Sequence, residues 1–491
     1  MRKKFISIIV VIALLTAYLT CIDYTQVNAS TRIPENIYMT VDGGEAVTVR
    51  ALNIAYENNV YISLRDTAYA LANTSKSFNV EITSSSIDIT TSAGYSDELA
   101  HDGFTEDELE MYAGGDPGNT ALTVNGDARK YFSLIIKMED GIYDCYISPM
   151  DIAMILDINI DMNMGNGIIV DTTNPLLINP AVLESYGFFQ SINGCVVGDA
   201  TTGEIFYGYN LDNVYPIAST TKLMTYLLTM EAIRDGVISM DTNATVSKEA
   251  ALLSASSDGV ISMAEGWQIP VSELILGALL PSSNESALTL AQLISGDEAT
   301  FVEKMNNKAK ELNMSTALFY NSNGLPSYTG TMIPAKRQNH MSPEDMFRLS
   351  SAILNEFPEV KDVTSQKTAR LSSLGLDIKN TNGLLYNMSC VNGLKTGTTD
   401  KAGACLVASL TVNDGATDHD LVVVVLGAEN SQMRVRVAEV LARYAREVIL
   451  KQADKISYTA IESTENDGTI NSEQIVEKVI EYALNKKASE Y

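Results

Sequence analysis

Pro216-Ile217-Ala218-Ser219-Thr220-Thr221-Lys222-Leu223-Met224-Thr225 sets a hydroxyl and an amine three residues apart, at the start of what reads as a helix from Ser219 to about Ile233. Side chains at that spacing share one helix face. A serine hydroxyl is a weak nucleophile until a base takes its proton; an ammonium cannot do this, but a neutral amine can. Two further segments follow in order. Ser282-Ser283-Asn284 brings a second hydroxyl and an amide, and Lys395-Thr396-Gly397 brings a cation, a hydroxyl and a glycine on a strand edge. Taken singly, each has an ordinary reading: Ser219 as a helix cap, Ser282 as the cap of a helix that continues with Glu285 and Ala287, and Lys395 as a charge that blunts an edge strand. Together and in this order they describe an acyl-transfer site that uses serine with lysine instead of histidine.

The chemistry assigns roles. Burial, a nearby Lys395 and the helix N-terminus would each favour a neutral Lys222, the base for Ser219. The backbone N–H groups of Ser219 and Thr398 would form an oxyanion hole. Ser282 would pass a proton between Lys222 and a leaving amine. Asn284, which both donates and accepts, suits a substrate backbone. The strand carrying Gly397 would let an extended peptide pair along it, with Lys395 and Thr396 receiving a terminal carboxylate.

Outward from these motifs, the pattern is α+β. Cys195–Asp199 and Glu204–Tyr207 read as strands flanking the turn at Ala200-Thr201-Thr202-Gly203. Strands return at Val391–Thr398, Ala402–Thr411 and Leu421–Gly427, with mostly helical periodicity between. The two sets of strands must form one sheet, with a helical lobe inserted in the sequence between them. Gln432–Leu450 follows as an amphipathic helix with Val435, Val437, Val440, Leu441, Tyr444 and Val448 inward.

The first third is a repeat. Val60-Tyr61-Ile62-Ser63-Leu64-Arg65-Asp66-Thr67-Ala68 matches Cys145-Tyr146-Ile147-Ser148-Pro149-Met150-Asp151-Ile152-Ala153, and alternating apolar residues follow each copy. Each reads as a short helix followed by a β-hairpin, with the apolar helix faces buried against one another or a shared sheet. The expected division is a signal peptide over 1–29, a duplicated domain over 33–173, a catalytic domain over 180–452 and a polar tail over 453–491.

Composition bounds the function. The 491 residues carry a net charge of −27, which disfavours nucleic acid as a partner. Arg2, Lys3 and Lys4 precede an apolar run from Phe5 to about Leu19, and Val27-Asn28-Ala29 suits a signal peptidase. A cleaved secretory signal is expected, with an uncleaved anchor as the alternative, so the protein is placed outside the cytoplasm, secreted or associated with wall or membrane. Cys145, Cys195, Cys390 and Cys405 have neither zinc nor redox spacing. His101, His340 and His419 are scattered, so neither a metal nor a cofactor is expected.

From about Ser185 to Leu450 the sequence resembles the low-molecular-mass penicillin-binding proteins, specifically serine D-alanyl-D-alanine carboxypeptidases. Beyond the three motifs, the matching segments are Phe301-Val302-Glu303-Lys304-Met305-Asn306, Asn323-Gly324-Leu325-Pro326, Asn380-Thr381-Asn382 and Gly393 through Thr399. His340 falls where the family often has histidine and reads as structural. The resemblance implies a β-lactamase/transpeptidase-like fold: an antiparallel sheet flanked by helices, with the helical lobe inserted. It implies that Ser219 attacks the penultimate D-alanine of a peptidoglycan stem peptide, releasing the terminal D-alanine, and that β-lactams acylate the same serine. Ser283 departs from the glycine usual in these carboxypeptidases, and the extra domain is N-terminal rather than an all-β C-terminal one. The repeat resembles the domain named after the N-terminal domain of copper amine oxidases, which suggests a module binding wall polymer; no copper ligands accompany it. Two alternatives stand. One is a serine β-lactamase; Glu303 with Asn307 has the spacing of a deacylating glutamate but lies in a helical segment that matches the carboxypeptidases. The other is a wall-binding protein without catalysis.

Overall fold

Apolar residues alternate with polar ones along Phe78–Ile82, and Phe78, Val80 and Ile82 are all buried, as a strand with one covered face requires. It belongs to a computed structural model that describes residues 32–450 except 55–58, 96–120, 130, 132, 139–140, 162–166, 175, 177, 186 and 329–335. The expected signal peptide, His101 and the polar tail lie outside the described residues. The chain divides after Leu176 into two compact units.

In the first unit each repeat copy is a strand, a helix and a hairpin. Asn59–Ser63 leads into helix Leu64–Ala70 and hairpin Phe78–Ile82/Ser86–Thr91, and Tyr143–Ile147 leads into helix Pro149–Leu156 and hairpin Asn159–Asp161/Ile168–Asp171. Ser63 caps the first helix by accepting the Asp66 N–H, and Pro149 starts the second, where a missing N–H costs nothing. The leading strands pair antiparallel with Ile62 opposite Ile147, its counterpart in the repeat, so the duplication closes on itself. Each helix then packs on the leading strand of the other copy. The second hairpin completes a seven-stranded sheet, while the first joins Ala121–Val124 and Asp127–Arg129 in a separate four-stranded one. Beneath the junction, Arg50 grips Asp66 through two bonds of 2.8 and 2.6 Å and faces Asp144 at 3.4 Å. A buried charge of that kind persists only when paired.

The second unit is built on an antiparallel sheet in the order Glu204–Tyr209, Gly194–Asp199, Asp418–Ala428, Gly403–Asn413, Val391–Thr399. Strands from both ends of the sequence thus meet as expected. Leu421 through Leu426 are fully buried because both sheet faces are covered. Helix Ser431–Ile449, capped by Asn430, lies on one face with its six expected inward residues buried. On the other face Val422, Val424 and Leu426 join the core formed with helix Pro343–Glu356 and helix Lys222–Arg234. The lobe between the strand sets contains helices Lys248–Ser254, Val271–Leu279, Asn284–Ser295 and Glu298–Glu311. Among the described residues, no helix is long and apolar enough to cross a membrane. Cys145, Cys195, Cys390 and Cys405 are free thiols.

Candidate active site

The helix expected from Ser219 begins three residues later. Ala218–Thr221 is a 3₁₀ turn and the α-helix is Lys222–Arg234. The turn is held by the Thr220 N–H and Oγ1, both donating to the Ile217 carbonyl at 3.2 and 2.6 Å. At three residues per turn, positions i and i+3 eclipse. This places Lys222 Nζ 2.9 Å from Ser219 Oγ. Ser219 therefore does not cap the helix: Thr221 occupies the cap position, and its side chain makes no capping bond.

Two glycines make room for this turn. A Cβ on Gly324, whose φ is +90°, would lie 1.9 Å from the Ala218 carbonyl oxygen. A Cβ on Gly397 would lie 2.8 Å from the Ser219 nitrogen. The glycine of the Lys395-Thr396-Gly397 segment is thus required by the protein's own serine turn.

Lys222 is fully buried, and its amine has three partners: Ser219 Oγ, Asn284 Oδ1 at 2.8 Å and the Asn323 carbonyl at 2.8 Å. The last two only accept. A neutral amine has two N–H bonds and one lone pair, so donating to both leaves the lone pair for the serine proton. Burial lowers the Lys222 pKa to about 7, against an opposing pull from the Glu285 carboxylate. Lys395, also buried, is held well below its ordinary value by burial and then by the charges of Lys222 and Arg434. Acylation should accordingly decline below about pH 7 as Lys222 takes a proton; stopped-flow β-lactam acylation against pH tests this, and a flat profile from pH 5 to 9 would contradict it.

The middle motif is divided differently from the expectation. Ser283, not Ser282, caps helix Asn284–Ser295, accepting the Ser286 N–H at 2.9 Å. That gives the residue that departs from the family's usual glycine a local task. Ser282 has φ +74° and its hydroxyl has no partner among the described residues. Asn284 is engaged within the chain at both ends, its Oδ1 with Lys222 and its Nδ2 donating to the Asp258 carbonyl at 2.8 Å. Holding the lysine uses one lone pair of Oδ1 and one N–H of Nδ2, which leaves the amide a further N–H and lone pair for the expected contact with a substrate backbone.

Lys395 and Thr396 also turn inward. Lys395 Nζ donates to the Thr396 carbonyl, and the Thr396 hydroxyl pairs with that of Thr381. The exposed hydroxyl of this strand is that of Thr398, which accepts from Arg434 Nη1 at 3.1 Å; the same nitrogen donates to the Gly397 carbonyl at 3.4 Å. Buried Arg434 Nε has no partner among the described residues. The sequence reading missed Arg434. Its signal was an arginine in the first turn of helix Ser431–Ile449, where the helix dipole disfavours a cation.

The flanking segments brace the site. Asn339 Nδ2 donates to Thr221 Oγ1 and to the Asn321 carbonyl, Thr225 Oγ1 donates to the Ser322 carbonyl, and Asn382 Nδ2 donates to the Gly393 carbonyl. His340 Nδ1 bonds to the Gln338 carbonyl, and its backbone pairs with Pro216. Glu303 is exposed on helix Glu298–Glu311 and makes no contact with these groups.

Residues 191–430 match the D-alanyl-D-alanine carboxypeptidase family. The chain is 34% identical to the D-alanyl-D-alanine carboxypeptidase DacD of Escherichia coli, over 51% of this chain and 62% of that protein. It is 33% identical to DacF of Bacillus subtilis, also a D-alanyl-D-alanine carboxypeptidase, over 44% of this chain and 52% of that one. The chain thus spans between half and two thirds of these relatives' length. Among solved structures, the ampicillin-bound penicillin-binding protein D2 of Listeria monocytogenes matches with a TM-score of 0.45 and 31% identity, over 52% of this chain and 97% of that one.

Proposed function

We infer, from the premise that residues 191–430 form a domain of the D-alanyl-D-alanine carboxypeptidase family, that this protein is a serine D,D-carboxypeptidase of peptidoglycan stem peptides. The observation that carries this is the Lys222 amine, with both its N–H bonds committed to carbonyl oxygens and its lone pair turned to Ser219 Oγ. Ser219 attacks the carbonyl of the penultimate D-alanine and its proton passes to Lys222. The oxyanion develops beside the Ser219 and Thr398 N–H groups. As the C–N bond breaks, the proton reaches the departing D-alanine amine through Ser282, whose hydroxyl, without a partner among the described residues, suits that transfer. Water then hydrolyses the acyl-enzyme along the reverse proton route.

Substrate recognition falls to the open end of the Lys395-Thr396-Gly397 strand. Thr398, whose hydroxyl the Arg434 guanidinium holds, receives the terminal carboxylate, with Arg434 behind it adding positive field and Lys395, Thr396 and Gly397 preceding it on the same strand. Arg434→Ala should lower kcat/KM for D-alanine release about 100-fold, mostly through KM. The same peptide with its C-terminus amidated should lose little further on the mutation. β-Lactams, which present a carboxylate and a strained amide, acylate the same serine. The first unit serves as a module that binds wall polymer, and the enzyme works outside the cytoplasm.

The test is D-alanine release from a synthetic stem peptide ending in D-Ala-D-Ala, with wild type beside Ser219→Ala. Release that disappears in the variant supports the reading. A folded wild type that releases no D-alanine, yet cleaves cross-linked dimeric peptide or turns over penicillin continuously, would replace it with an endopeptidase or a β-lactamase.

A further inference from the structure

Glu285 directly follows the motif and is fully buried in a part of the fold the scheme above leaves unused. It lies in the first turn of helix Asn284–Ser295, where the dipole favours a carboxylate. Its oxygens accept the backbone N–H groups of Val260, at 3.1 Å, and of Ile261. Two residues before Val260, the Asp258 carbonyl accepts from Asn284 Nδ2. Two consecutive residues of one helix thus grip a single short segment, Asp258–Ile261, at both ends.

The grip has a chemical consequence. A primary amide is nearly symmetric in shape, with an oxygen that accepts and a nitrogen that donates, and its neighbours decide which points where. Asn284 must present oxygen to Lys222. Turned over, its amide N–H would point at the amine, compete with Ser219 for the lone pair and leave one amine N–H without an acceptor. The Asp258 carbonyl prevents this because it can be satisfied only by the amide nitrogen. We propose that Glu285 is a positioning residue for acyl transfer: by pinning Asp258–Ile261 it fixes the orientation of the Asn284 amide, and thereby keeps the Lys222 lone pair directed at Ser219.

The proposal rests on the acyl-transfer reading of Ser219 and Lys222. It adds a second, electrostatic effect of the same residue. The charged groups that act on Lys222 and its neighbour Lys395 are Glu285, Arg434 and the two lysines themselves. Glu285 is the one carboxylate among them, and it draws Lys222 towards its protonated form. Removing its charge should make Lys222 harder to protonate and move the acid limb of acylation to lower pH.

The experiment compares wild type, Glu285→Gln and Glu285→Ala by the pH dependence of fluorescent-penicillin acylation, with thermal unfolding of each. Glutamine keeps the size and one acceptor oxygen but not the charge. Its plateau rate should fall roughly tenfold, and its acid limb should move down by about one pH unit. Alanine, which releases the segment, should lower the plateau roughly 100-fold with the same direction of shift. An acid limb unmoved in Glu285→Gln, with the plateau at the wild-type level, would overturn the proposal, as would a loss in either variant that only tracks a lower folded fraction. If wild type itself is not acylated, the acyl-transfer reading fails instead, so the two failures are distinguishable.

Discussion

Lys222→Met slows acylation of Ser219 by about 10⁴-fold and leaves the protein folded. The size of the loss follows from the site having one base. Lys395 is buried with its amine on the Thr396 carbonyl, and His340 is bound to the Gln338 carbonyl, so neither replaces Lys222 at 2.9 Å from Ser219 Oγ. The small stability change follows from linkage. A lysine whose pKa falls from 10.5 unfolded to about 7 folded makes the unfolded state bind more protons between those values. Folding stability therefore rises with pH across that window, by about 1.4 kcal/mol per pH unit, and the penalty is fully present below pH 7. Methionine removes it. Against this gain, Asn284 Oδ1 and the Asn323 carbonyl lose a donor, at about 1–3 kcal/mol each. The two effects nearly offset, so chemical denaturation at pH 7 should place the variant within about 2 kcal/mol of wild type. A large destabilisation with acylation retained per folded molecule would mean that Lys222 is structural.

Gly324→Ala is expected to be as damaging by a different route. The backbone at Gly324 has φ +90°, which costs a residue with a Cβ about 1–3 kcal/mol by itself. The added methyl would also sit 1.9 Å from the Ala218 carbonyl oxygen, which belongs to backbone and cannot rotate away. The serine turn must move, and with it the contact between Ser219 and Lys222. Loss of about 3 kcal/mol or more of stability is expected, with acylation per folded molecule down at least 100-fold, because a displacement near 1 Å at a reacting pair costs that much. Thermal unfolding and acylation, each normalised to folded protein, check the two parts. A variant as stable and as reactive as wild type would show that the loop at Asn323-Gly324 does not support the turn.

How far the sequence carried this depends on the type of feature. The strand sets at Cys195–Asp199 and Leu421–Gly427 were legible because continuous apolar runs bounded by turns mark doubly covered strands. Their union into one sheet then followed from the need to cover them. Motif spacing revealed Ser219 with Lys222. What it hid was which of two adjacent serines does which task, since Ser282 and Ser283 differ only in a backbone angle. Pattern also could not show that Asn284 and Gly397 face inward: an amide or a glycine has the same letter whether it meets a substrate or its own chain. Arg434 lay more than thirty positions past Thr398 and was visible only as a misplaced charge on a helix. Glu285 looked like part of a capping box, and its grip on Val260 and Ile261 is a tertiary fact.

The central claim, that Ser219 is an activated nucleophile, is tested most directly by intact-mass measurement and peptide mapping after brief exposure to benzylpenicillin, with wild type beside Ser219→Ala. The account predicts one stable adduct per wild-type molecule, on the peptide carrying Ser219, and none on the variant. An adduct that persists in Ser219→Ala, or a folded wild type that neither forms one nor consumes the drug, would contradict it.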